Sequence, residues 1–211
     1  MKDISLDTQL TRALPSVMIL GDPDLDLAQD LLSLQFCANT MRCKILEVLV
    51  NNWGSINNQI GYKYFGESQP QGGNSIQIGA KIKLSVGAFT MAVGNIITLA
   101  PNFPQDGPPT LSFSVDAHRP RQKISSDVFT ITYGSGLREF HPVLHSGHSK
   151  IQAFGIADGS PQLIAGIQLK ISSLGDVLNG TYSVTESTHT FDKEHGYRTS
   201  FTCVKHLTKA A

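Results

Sequence analysis

The chain has 211 residues, 40% of them hydrophobic and 16% charged; that is enough apolar material for one large domain or two small ones, and it excludes global disorder. Seventeen Lys and Arg balance seventeen Asp and Glu, so the basic surface that nucleic acid demands of a main partner is missing, and few long-range charges keep copies apart. Three cysteines without a C-x-x-C exclude a disulfide framework or a zinc ribbon, and no run approaches the ~20 apolar residues of a membrane-spanning helix.

In chain order, residues 1–14 form a polar N-terminal arm with no signal-peptide run. The chain is therefore expected to be made in the cytoplasm and to leave it, if at all, by lysis or inside a particle. "PSVMIL" from Pro15 is a predicted strand, and "GDPDLD" is a turn in which Pro23 sets φ. "DLAQDLL" is predicted as a short helix capped by Asp24 or Asp26. From Ser33 onward strand follows strand. "CKILEVLV" ends at Asn51, Asn52 and Gly54, and "IGYKYFG", "IQIGAKIKLSVG" and "FTMAVGNIITLA" follow. A Pro/Gly loop, "PNFPQDGPP", then leads into "TLSFSVDAH", which alternates with period two. "RPRQKISS" (119–126) is polar, basic and proline-bearing, and is assigned as a linker. The pattern then restarts. "DVFTITYG" is a strand and "LREFHPVL" a short helix or an extended segment; "SKIQAFGI", "LIAGIQLKISSLG", "GTYSVTESTHTF" and "GYRTSFTCVKH" are strands. Few long helix-forming blocks and many Gly, Ser, Thr and Val place the chain in the all-β class.

The two runs match each other. "KYFG" meets "QAFG" (Phe65 to Phe154, offset 89), and "GAKIKLSVG" meets "GIQLKISSLG" (Gly79 to Gly166, offset 87). "VGNIITL" meets "NGTYSVT" (Gly94 to Gly180, offset 86), and Phe103 to Phe191 and Phe113 to Phe201 are both offset by 88. Five matches in one order indicate a duplicated all-β unit, at residues 15–118 and 127–211, each of small-domain size. Within the second unit, "STHTFDKEHGYRTSF" gathers His189, Asp192, Glu194 and His195. The first unit has "PNFPQDGPPTLSF" at the same place, with Gly107 where the second has Gly196, and no histidine. Both are hairpin ends, so His189 and His195 are read as decorations on a hairpin and not as parts of a site.

With the repeat in view, the stretch from Pro161 to Cys203 resembles the end of baseplate hub proteins of contractile tails. These are the phage late control D family, the hub part of type VI secretion spike proteins, and the hubs of extracellular contractile injection systems. The positions that carry the likeness are Gly180, Tyr182, Val184, His189, Phe191, Gly196, Tyr197, Thr199 and Phe201, with "FTITYGSGLREFHP" from Phe129 and, in the first half, Gly79 to His118. The resemblance runs from about Leu31 on. It implies two tandem tail-tube-like β-barrels per chain, with a short helix or two, and a homotrimer whose six barrels form a pseudo-hexameric ring. It further implies a structural symmetry adaptor that joins a central trimeric spike to a hexameric inner tube among other baseplate proteins, with no enzymatic activity. Many such hubs carry a larger middle region, a fused spike or a lytic domain; here nine residues, "RPRQKISSD", join the halves, so the expectation is either a spike on a separate chain or a minimal or trimmed hub. The alternatives are a tail-tube or tube-initiator ring, against which the duplication speaks, and a metal-dependent hydrolase using a histidine cluster.

That last alternative rests on His141, His145 and His148 in "HPVLHSGH". Pro142 and the Ser-Gly turn break the helix that would align His141 with His145, and no acidic partner follows the H-E-x-x-H pattern. Asp22, Asp24 and Asp26 fail as a calcium loop, because Leu27 and Ser33 stand where Gly and Glu are required. There is no nucleophile elbow, P-loop or dinucleotide fingerprint. Cys37, Cys43 and Cys203 are read as small buried side chains within strands, and Trp53 as either a partner anchor or a cover for one barrel end. No catalytic, cofactor or metal residue is assigned, and no cofactor is expected.

Overall fold

The computed structural model describes residues 14–20, 27–39, 45–56, 58–65, 76–120, 128–144 and 150–207. The arm at 1–13, Asp22, Asp24, Asp26, Cys43, His145, His148 and linker residues 121–126 lie outside the described residues. The first half contains β1 (Pro15–Ile19), β2 (Leu31–Asn39), β3 (Ile45–Asn51), β4 (Trp53–Ile56), β5 (Gln59–Tyr62), β6 (Lys81–Val86), β7 (Phe89–Asn102) and β8 (Thr110–His118). The second contains β9 (Phe129–Tyr133), β10 (Gly136–Leu144), β11 (Lys150–Asp158), β12 (Gln168–Ser172), β13 (Gly180–Asp192) and β14 (Gly196–His206). The described chain is thus all-β apart from one 3-10 turn at Leu27–Gln29.

That turn corrects the helix expected over Asp26–Leu32. Seven residues are too few to offset helix nucleation, and β2 takes over at Leu31, where Leu31 and Leu34 enter the core. "LREFHPVL" is extended, as β10. β7 runs on through Pro101 and Asn102, two residues into the expected loop.

Each half lays its strands in the same spatial order. The first runs β1-β6-β7-β8-β3-β2 and the second β9-β12-β13-β14-β11-β10. The second closes into a six-stranded barrel, because β13 pairs with β14 and β10 meets β9 through two parallel bridges, Gly136↔Thr132 and Leu137↔Tyr133. The halves differ in the direction of their first strand: β1 is antiparallel to β6, whereas β9 is parallel to β12. The small hairpin β4–β5 forms its own two-stranded sheet.

Register makes the duplication quantitative. Leu99 faces Phe113 as Ser187 faces Phe201, and the bulge between Ile96 and Thr98 recurs between Val184 and Glu186, so the offset along these hairpins is 88. Gly79 (φ 87°) donates its N–H to Ile96 at 2.8 Å, and Gly166 (φ 95°) donates to Val184 at 2.8 Å. Both positions need a left-handed backbone that glycine adopts without steric cost. The same register corrects two of the sequence matches. Gly94 aligns with Tyr182, not Gly180. Phe65 lies beyond β5, whereas Phe154 is in β11, the counterpart of β3, so that pairing was coincidental.

The sheet does not part between the halves. Past its bulge, β13 pairs with β14 on one side and with β2 on the other, from Glu186↔Asn39 to Asp192↔Ser33. Each half has its own hydrophobic cluster, yet Phe191 and Tyr197 of the second half belong to the first half's cluster. Replacing Phe191 by alanine should therefore destabilise the first half by about 3–5 kcal/mol, through lost burial and the cavity left behind. Phe103→Ala, at the equivalent but half-exposed position, should cost under ~1 kcal/mol. Urea unfolding of the two variants checks the contrast, and equal costs would contradict it.

Candidate functional site

The feature that sets the two halves against each other is a buried polar cluster on β13 and β14. Past the bulge, alternation turns Ser187, His189 and Phe191 inward, and they stand opposite Ala38, Phe36 and Leu34 of β2. β14 brings Thr199 opposite His189 and Tyr197 opposite Phe191. His189 is 1% exposed. Its ring lies between those of Phe36 (6.3 Å, 21° between planes) and Tyr197 (6.0 Å, 22°). Its Nδ1 is 2.9 Å from Tyr197 Oη and 3.2 Å from Thr199 Oγ1. Thr199 Oγ1 in turn accepts the Ser160 N–H at 3.1 Å. Gly159 donates its N–H to the Tyr197 carbonyl, and a Cβ on Gly159 would fall 2.1 Å from the Tyr197 ring, so only glycine fits. Arg119, which follows β8, reaches across to the Pro161 carbonyl at 3.5 Å.

Two hydroxyls on Nδ1 place the imidazole proton on Nε2 when at least one of them donates. Burial first, and the nearby Arg119 guanidinium second, lower the His189 pKa from 6.5 to about 3. Burial also raises the Tyr197 phenol above its ordinary value and lowers Arg119. His189 Nε2, Ser187 Oγ and Arg119 Nη1 have no protein partner among the described residues. His189 therefore stays neutral near pH 7, with the Tyr197 and Thr199 hydroxyls beside it. The cluster ties β13 to β14 through Tyr197 and Thr199 and packs it on Phe36 of β2.

The histidines named from sequence part company here. His189 is not a decoration but an interior residue. It shares its alternation with Phe191, and that signal was available in the sequence. His195 sits on the exposed turn after β13, where Asp192 Oδ1 accepts the N–H groups of Glu194 (2.9 Å) and His195 (2.6 Å). These bonds, the His195 N–H first, hold the Asp192 carboxyl below its usual range. His141 is exposed on β10, 3.4 Å from Glu139 Oε2 and stacked on Phe154 at 6.2 Å. No group of three or more His, Cys, Asp or Glu side chains is placed to hold a metal among the described residues. Cys203 is buried, and burial pushes its thiol up to about 12. Cys37 is a free thiol on the outer face of β2, 3.6 Å from Thr188 Oγ1. Trp53, partly exposed, meets Tyr62 edge-on at 5.2 Å, and Tyr62 meets Phe103 at 5.5 Å.

Sequence reading missed Asn52 and Arg119. Asn52 is fully buried. Its Oδ1 accepts the N–H groups of Tyr64 (2.8 Å) and Phe65 (3.0 Å), and its amide donates to the Phe65 carbonyl at 2.5 Å. This ties the segment after β5 to the sheet. Tyr64 Oη and Lys63 Nζ both bond Asp30 Oδ2, the tyrosine at 2.5 Å. Neither group forms a motif; long-range partners define them.

The sequence matches no protein-family model and no curated protein. The fold does match solved structures. It is similar to a tail protein from Neisseria meningitidis MC58, with a TM-score of 0.61 at 5% identity over 91% of this chain and 96% of that one. It is similar to the 43 kDa tail protein of prophage MuSo2 from Shewanella oneidensis, with a TM-score of 0.57 at 7% identity over 90% and 96%. It is also similar to an E. coli component of the type VI secretion system described as structurally like the T4 tail proteins gp27 and gp5, with a TM-score of 0.53 at 10% identity over 92% and 77%. At these identities the likeness is one of fold: the chain has a tail-protein fold.

The cluster has a pH signature. The folded pKa of His189 lies below the unfolded value of 6.5, so its contribution to stability is present above pH 6.5 and lost as pH falls toward 3, by about 1.4 kcal/mol per unit. His189→Leu should remove that part of the slope. Urea midpoints at pH 6.5 and 4.5 for both proteins check this; parallel losses would refute it.

Proposed function

We propose that the chain is a structural baseplate hub of a contractile injection machine or phage tail, a non-enzymatic adaptor between a threefold spike and a sixfold inner tube. The observation that carries the reading is the duplication: two halves with one strand order, shared bulge positions and a single continuous sheet. Three such chains around an axis present six near-equivalent units, which is the geometry a sixfold tube ring meets. Their threefold repeat matches a trimeric spike. The tail-protein fold supports this role, and so do the tail and type VI secretion proteins that share it. On this reading the partners are two further copies of the chain, a spike protein, a tube or tube-initiator protein and other baseplate components, and the chain reaches its place by assembly into the particle.

The test is the mass in solution by light scattering over a wide concentration range. The expected result is a rise from one chain mass of 22.9 kDa to about three. A six-chain particle would move the reading to a tube or tube-initiator ring. A monomer at every concentration would contradict the expectation.

A further inference from the structure

The lone chain keeps two strand edges that its own duplication accounts for. In the second half, the part of β13 beyond the bulge lies between β14 and β2. Its counterpart in the first half is the part of β7 from Thr98 on, which has β8 on one side and no strand on the other among the described residues. The counterpart of β2 is β10: Leu34 faces Val48 as Phe140 faces Gly155, and the bulge between Leu31 and Ser33 recurs between Leu137 and Glu139. From Arg138 to Leu144, β10 has β11 on one side and, among the described residues, no strand on the other, since β9 ends at the two bridges to Gly136 and Leu137. The chain holds one complete junction, β13 on β2, and the two unjoined halves of another.

We propose that β7 of one chain pairs antiparallel with β10 of a neighbouring copy and so repeats the β13–β2 junction between chains. This rests on the hub reading, in which three copies surround one axis. Carrying the register across fixes the contacts. Thr188↔Cys37 becomes Ala100↔Val143, His189↔Phe36 becomes Pro101↔Pro142, and Phe191↔Leu34 becomes Phe103↔Phe140. Exposure agrees with it. Phe191, whose junction is made, is 6% exposed, while Phe103, Val143 and Leu144 are 51%, 51% and 56% exposed. Phe103 lies bare at the place where the formed junction buries Phe191, and Val143 and Leu144 are exposed apolar side chains on the facing edge.

The prolines set the strength of this contact. The Tyr197 carbonyl accepts the Gly159 N–H on the β11 side, so Phe191 opposite it turns its own backbone groups toward β2, as does His189 two residues earlier. Transferred to the first half, Pro101 points its ring nitrogen at the open edge, the place where a strand tolerates proline. Pro142 holds the matching position on β10. Both prolines thus fall on the same rung, and the junction between chains forfeits its hydrogen bonds at that rung alone. Within the chain the same rung is His189 opposite Phe36, with both N–H groups present and the imidazole locked by Tyr197 and Thr199. The intramolecular junction is the permanent one. The intermolecular one is blunted, as exposed edges commonly are, so free chains do not pair indiscriminately.

The test is a disulfide between chains. Thr188 Oγ1 and Cys37 Sγ are 3.6 Å apart in the formed junction, so Ala100→Cys with Val143→Cys, in a chain also carrying Cys37→Ser and Cys43→Ser, should place two thiols within bonding reach. Both parent side chains are exposed, so neither change burdens the fold. After mild oxidation, denaturing gels should show covalent species ending at three chains, and each single cysteine should give none. Pro101→Val with Pro142→Val should lower the concentration at which the trimer forms by about tenfold, since it restores donors on the shared rung. A trimer by light scattering without the cross-link would overturn the pairing and leave the hub reading standing. Cross-linked species running past three chains would support the pairing and overturn the trimer. Monomers without cross-links would overturn both.

Discussion

β13 is asked to do three things at once. Its first residues pair with β12, from Ser183 on it follows β14, and past the bulge its free side takes β2 of the other half. The bulge between Val184 and Glu186 marks the change of partner, since β12 pairs with β13 up to Ser183 and β2 from Glu186 on. The continuity of the sheet and the shared core at Phe191 and Tyr197 both lie past it.

Burial then decides which side chains may sit at the joint. A histidine between two aromatic rings, with hydroxyls on one nitrogen, costs desolvation but discriminates between registers, because a one-residue slip would move every side chain to the opposite face. The equivalent rung in the first half has Pro101 in place of His189 and presents an open edge. The two units thus differ at this rung: in one it is a joint within the chain, in the other an edge with no strand beside it among the described residues. That divergence is physical: a joint made once on folding tolerates a demanding polar cluster, while an exposed edge must avoid promiscuous pairing.

Much of the fold was legible because period-two alternation is a local signal. "TLSFSVDAH" and "GYRTSFTCVKH" coincide with β8 and β14, and the matches Phe103–Phe191 and Phe113–Phe201 agree with the observed register. The matches Phe65–Phe154 and Gly94–Gly180 failed because short apolar and glycine patterns recur in any β-rich chain, and only pairing partners reveal which strands correspond. The helix expected over Asp26–Leu32 failed because its leucines serve a sheet core from outside the segment. His189 was misjudged by comparison with the first half, whose equivalent residue is a proline on an open edge.

The sequence by itself determined most of the long strands, the duplication and the polar hairpin turns, since each is written in side-chain alternation and in glycines whose backbone needs are local. It did not determine that β2 pairs with β13, that the second half closes while its tip enters the first half's core, or that Asn52 and Arg119 are long-range polar ties. Those depend on contacts between residues far apart in the chain, such as Asn39 with Glu186 or Arg119 with Pro161. Such contacts have no local signature, and only the packed sheet chooses among them.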